Sequence, residues 1–158
     1  MIEYQHLEGR AFKWGEADCL ALFRDLYFDN WGIKIRDYAR PTHWDSRSID
    51  LIRACYEREG FDMIPRDSMK PNDLRPGDVA CIAVGSPIPN HFAVYVGDNM
   101  IVHHKANAMS SSELFRDFWR GYTSFYLRSP FVPDMRPKYP DVELGDLIRE
   151  SRSFQAPA

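Results

Sequence analysis

The sequence is short of the features that mark several protein classes. Cysteine is scarce: Cys19, Cys55 and Cys81 cannot all pair, and none sits in a CxxC or CxC arrangement, so neither a disulfide scaffold nor a zinc ribbon is indicated. Positive charge is not in excess. Twenty Lys and Arg stand against 23 Asp and Glu, a net charge of −3, which leaves no broad basic face to neutralise phosphates. Nucleic-acid binding is therefore not expected. No stretch approaches 18 uncharged apolar residues, and Met1 to His6 contain no basic segment leading into an apolar run. The expectation is cytoplasmic synthesis with no signal peptide and no membrane insertion. A glycine-rich phosphate loop, internal repeats and low-complexity runs are also missing.

What is present suffices for one packed domain: 158 residues, 44% hydrophobic and 14% aromatic. Proline clusters late. Five of the 11 prolines, Pro130, Pro133, Pro137, Pro140 and Pro157, fall in the last 29 residues, where fixed φ angles and missing N–H groups discourage helix and ladder alike. A domain over residues 1–130 and a Pro-rich extension over 131–158 are expected. Within the extension, Leu144, Leu147 and Ile148 suit one or two helical turns that would need a surface to dock on.

Periodicity changes character midway. From Asp18, a good N-cap, the apolar residues Cys19, Leu20, Leu22, Phe23, Leu26 and Tyr27 recur at helical spacing. A second helix is predicted from about Trp44 to Glu59, with Gly60 as its stop. Pro76-Gly77-Asp78 then introduces a β-prone run over Val79 to Val84, and the runs His91 to Val96 and Met100 to His104 flank Gly97-Asp98-Asn99 as a hairpin. A short helix over Ser112 to Trp119 and a strand from about Tyr122 to Arg128 complete the reading. Helices first and an antiparallel sheet second is the α+β layout.

Cys19 falls in the first turn of its helix, where unpaired N–H groups and the macrodipole favour a thiolate. A nucleophilic thiolate needs a base, usually histidine, and that histidine needs a third group to fix its tautomer. His91 shares a strand face with Ala93 and Tyr95, while His103 and His104 lie on opposite faces of the returning strand, so only one of the two can point at His91. Taken singly, a cysteine on an apolar helix face is a core residue and a histidine a structural one; the combination is what suggests chemistry. Zinc binding by Cys81 with these histidines fits no standard spacing. Cys55 and Cys81 read as core.

These residues carry a resemblance. Phe12-Lys13-Trp14-Gly15 with Asp18-Cys19, then Pro76-Gly77-Asp78-Val79, then His91 to Gly97 with His103 twelve positions after His91, resemble the NlpC family of cell-wall cysteine peptidases. A closer similarity, over roughly residues 5–129, is to the peptidase domains of tail assembly proteins of lambda-like phages. It rests on Asp18 to Tyr27, Pro89-Asn90-His91, Gly97 to His104 and Trp119-Arg120. The resemblance implies a circularly permuted papain-like fold with N-terminal helices on a central antiparallel sheet, and no cofactor or metal. It also implies hydrolysis of peptidoglycan stem-peptide amides, typically D-γ-glutamyl-diaminopimelate bonds, by a Cys19–His91–His103 triad. Trp14, Asp18 and Asn90 become candidate substrate contacts, with Trp44 and Trp119 as further cleft linings. Asp18 also reads as a cap and local anchor. The implied partners are the stem peptide and phage tail-tip proteins, and the implied location is the virion tail tip. Two positions depart from the family pattern: Leu20-Ala21 replace the usual Ser-Gly, and Phe12 replaces a tyrosine whose hydroxyl helps polarise the scissile carbonyl. Oxyanion stabilisation would then rest on backbone N–H groups, that of Cys19 included, unless Tyr4 substitutes.

Overall fold

A computed structural model describes residues 1–40 and 50–136. Helix α1 spans Cys19–Trp31. Asp18 has extended backbone angles and its side chain accepts from the Ala21 N–H, while Gly32 closes the other end in the left-handed region, at φ 66°. The expected second helix lies partly outside the described residues. Its described part is α2, Leu51–Cys55, capped by Asp50 and tightening into a 3-10 turn at Tyr56–Glu59 that Gly60 terminates.

Six strands follow: β1 (Asp62–Pro65), β2 (Val79–Ile82), β3 (His91–Gly97), β4 (Met100–His103), β5 (Ser111–Leu114) and β6 (Thr123–Arg128), with helix α3 (Asp117–Tyr122) before β6. They form one antiparallel sheet in the order β1-β6-β2-β3-β4-β5. The expected α+β architecture is the one present. Two elements differ from the sequence reading. Ser112 to Trp119 is not a single helix, because Ser111–Leu114 pair with β4 and helix begins only at Asp117; ladder pairing overrides local helical propensity. Strand β1, unanticipated, is a four-residue edge ending in proline, with too few residues for a visible alternation.

Both faces of the sheet are covered, and strand alternation decides which side chain goes where. On one face Val79, Cys81, Val94, Val102, Phe125 and Leu127 pack against Leu20, Leu22, Phe23, Leu26 and Tyr27 of α1. On the far face Ala80, Ile82, Ala93, Ile101 and Tyr126 cluster with Leu74 and Phe115, and Tyr95 and Trp119 cover them in part. Beyond Pro130, Val132 and Met135 pack against the helix-side cluster. The expected turn over Leu144 to Ile148 lies outside the described residues.

Candidate active site

The β3–β4 hairpin turns through Asp98 and Asn99, both at positive φ, as a two-residue turn requires. An unbroken ladder from Gly97↔Met100 would set His104 opposite Ala93. The structure instead skips Val96: the register shifts between Tyr95 and Gly97, where Gly97 has φ 105°, and Ala93 pairs with His103. That single bulged residue brings His103, not His104, onto the face of His91. His91 Nε2 lies 3.0 Å from His103 Nδ1, and both rings are buried, at 7% and 0% exposure. Trp119 packs over the pair, its ring centroid 4.6 Å from that of His103 and 5.9 Å from that of His91.

The N-terminus of α1 meets the start of β3. The Cys19 sulfur faces the backbone N–H of Phe92, the residue after His91, and Asp18 and Arg40 lie close enough to act on it electrostatically. Burial works against the expected thiolate. It pushes the Cys19 thiol up to about 11, outweighing the Phe92 and Leu20 N–H groups and the Arg40 charge that favour ionisation. Burial likewise drives His91 down to about 3, helped by His103 and Lys105. Helix position alone therefore does not set the ionisation of this cysteine: desolvation opposes the thiolate at Cys19 and the imidazolium at His91.

Asp18 serves the scaffold. Its carboxylate is 2% exposed and accepts from the N–H groups of Gly15 (3.0 Å) and Ala21 (3.0 Å) and from Arg40 Nε (2.7 Å). Arg40 also donates to Gly15 O and Asp37, so one buried ion pair ties the loop before Cys19 to the segment after α1. With both oxygens engaged, Asp18 holds the start of the helix that carries Cys19 rather than presenting an open acceptor. Asn90 accepts from Val84 N–H and donates to Val84 O, closing the loop that leads into His91. Trp14 is 49% exposed and packs edge-on against Phe12, which in turn meets the His104 ring. Trp44 lies outside the described residues. An apolar hollow of about 310 Å³ beside α1, lined by Phe23, Ile35, Tyr38, Ile52, Phe61 and Phe92 among others, does not take in Cys19 or the histidine pair.

Sequence reasoning missed Glu113. Pairing of Ile101 with Glu113 puts its side chain on the His103 face, where Oε1 lies 3.4 Å from His103 Nε2. Glu113 also pairs with Lys105 Nζ and accepts from Trp119 Nε1 at 3.1 Å. The only signal would have been the β4–β5 register, which a helical reading of residues 112–119 hides.

The sequence model of the NlpC/P60 family matches residues 9–128. The chain belongs to the NlpC/P60 family. Tail tip assembly protein K of Escherichia phage lambda is 36% identical over 118 residues, which are 75% of this chain and 56% of that protein. The protein of the same name from Escherichia phage N15 is 24% identical over 124 residues, 75% and 47% of the two chains. This NlpC/P60 chain thus spans about half the length of the curated relatives it matches. A crystal structure of an NlpC/P60 family protein from Bacillus cereus superposes with a TM-score of 0.50 at 18% identity, over 79% of this chain and 36% of that one, a likeness of fold. Within the NlpC/P60 fold, Leu20 and Ala21 are buried helix residues, and the Phe12 ring brings no hydroxyl to the site.

Proposed function

We propose that the chain is a phage tail-associated cysteine endopeptidase that hydrolyses peptidoglycan stem-peptide amides, D-γ-glutamyl-diaminopimelate bonds in particular, for local wall penetration or tail-tip assembly. The observation that supports it best is the buried His91–His103 hydrogen bond, with the Cys19 sulfur facing the backbone N–H of Phe92, the residue after His91. In this reading His91 accepts the Cys19 proton as the sulfur attacks the scissile carbonyl, and the backbone N–H of Cys19 stabilises the oxyanion. His91 then returns the proton to the leaving amine, and water, deprotonated by His91, hydrolyses the thioester. In this reading proton transfer accompanies attack, because desolvation disfavours both the Cys19 thiolate and the His91 imidazolium. His103 orients His91, Trp14 lines the cleft, and tail-tip proteins are the macromolecular partners.

A second reading is a catalytically silent tail-tip subunit on the same fold. It is favoured by the raised Cys19 pKa and by Phe12, which leaves the ring without a hydroxyl for the oxyanion. Mass spectrometry of purified peptidoglycan digested with wild type and Cys19→Ala in parallel separates the two. The hydrolase reading expects new free amine and carboxylate ends with wild type only; identical, uncut products from both chains overturn it, and a new acyl bond in place of the free carboxylate would mean a transferase.

A further inference from the structure

We propose that Glu113 is a positioning residue that fixes the protons of the His103–His91 pair, so that His91 presents a bare Nδ1 as base. Its catalytic consequence rests on the hydrolase reading above; the proton arrangement does not. The argument is one of donors and acceptors. An ionised carboxylate only accepts. Burial opposes ionisation of Glu113, yet Lys105, the facing His103 and the Trp119 indole N–H hold its carboxyl below the ordinary value. Among the described residues His103 Nε2 is buried with no hydrogen bond inside normal limits, and the atom it faces is Glu113 Oε1 at 3.4 Å. That nitrogen must therefore carry the proton. His103, kept neutral by burial, then has an unprotonated Nδ1, and the 3.0 Å contact makes this the acceptor for His91 Nε2–H. A neutral His91 protonated at Nε2 has its lone pair at Nδ1, free to take the thiol proton.

The surroundings keep this order from collapsing into a charged His103. The groups facing the ring are His91 from β3, Glu113 from β5, Lys105 after β4 and Trp119 from α3, with His104 directed to the opposite face. An unshared carboxylate would favour imidazolium, which would donate from Nδ1 and reverse the proton on His91. Lys105 and Trp119 share the carboxylate and temper it.

The test is long-range proton–nitrogen NMR of the full chain with ¹⁵N-labelled histidine at neutral pH, alongside turnover of a purified peptidoglycan muropeptide. Wild type should show both rings as Nε2–H tautomers. Glu113→Gln, which can donate an amide proton to His103, should move both rings toward Nδ1–H and lower kcat by about tenfold or more with KM within about twofold. Glu113→Asp, which keeps the charge, should restore the wild-type tautomers in part. An Nδ1–H tautomer on His103 in wild type overturns the proposal without any variant, as do unchanged tautomers and kcat in folded Glu113→Gln. A wild type with the expected tautomers and no muropeptide turnover leaves the proton arrangement standing and removes the hydrolase reading.

Discussion

His103 and His104 are neighbours in the chain and equally buried, at 0% and 1% exposure, yet they belong to different regions of the molecule. His103 points to the far face, into a polar nest of His91, Glu113, Lys105 and the Trp119 indole. His104 points to the other face, against the Phe12 ring at 5.4 Å and the backbone of Arg10 and Ala108, with its Nε2 unpartnered among the described residues. Burial therefore does not distinguish the histidine that bonds His91 from the one that packs against Phe12. What distinguishes them is whether the two ring nitrogens face groups that order a proton. The same contrast holds for the carboxylates: Asp18 is sealed by donors on every side, whereas Glu113 is aimed at a ring that can pass its influence on.

The largest effect should come from separating the two histidines. His103→Ala frees the His91 ring and is expected to lower muropeptide kcat/KM by up to about 10⁴-fold, the scale seen when the orienting member of a triad is lost. His104→Ala should leave kcat/KM within a few-fold and show itself as a lower melting temperature. Loss of activity in a folded His104→Ala would mean that the bulge does not hold in solution. Next in size is Asp18→Ala, which strips a buried Arg40 of its partner and removes the α1 cap. Urea titration should find it destabilised by about 3 kcal/mol, and Glu113→Ala, at a more open site, by distinctly less.

How much of this was legible beforehand differs between the two regions. α1, its cap at Asp18 and its stop could be read because capping and helical spacing are local, and the hairpin because Asp98-Asn99 is a turn pair. The choice of His103 over His104 was not legible from periodicity: a two-residue turn with an unbroken ladder selects His104, and only the family spacing pointed to His103. Glu113 and Arg40 were invisible for a related reason. One reaches the site through strand pairing and the other from 22 residues beyond Asp18, and neither leaves a local pattern. The thiolate that helix position favours at Cys19 is opposed by burial, which could not be read because helix position is local while burial is tertiary.

Acid should blur the comparison by destabilising both faces at once. His91, His103 and His104 all have lowered pKa values, burial being the main cause in each. A histidine that titrates lower folded than unfolded binds fewer protons in the native state, so its contribution is complete above the unfolded value and is lost as pH falls toward the folded one. For His91 that window runs from 6.5 to about 3. The loss from His91 alone is about 2 kcal/mol at pH 5 relative to pH 8. Urea midpoints measured from pH 8 to 5 should fall steadily; a flat profile would mean these rings are protonated in the folded chain.

The smallest predicted effect tests the device that divides the two histidines. Gly97 sits at φ 105° inside the bulge, and a Cβ there would meet only Pro76 Cγ at 3.7 Å, an ordinary contact. Gly97→Ala is thus a test of backbone strain without a clash, and should destabilise by about 1 kcal/mol. Gly121→Ala, inside α3 with open space around the new methyl, is the matched control and should be neutral or slightly stabilising. Strain at Gly97 is relieved most directly by letting Val96 rejoin the ladder, which rotates His103 away from His91 and His104 toward it. Muropeptide turnover of folded Gly97→Ala should therefore fall by more than its small loss of stability accounts for. Turnover that merely follows the folded fraction would show that the histidine pair is held by its own side-chain contacts, independently of the bulge.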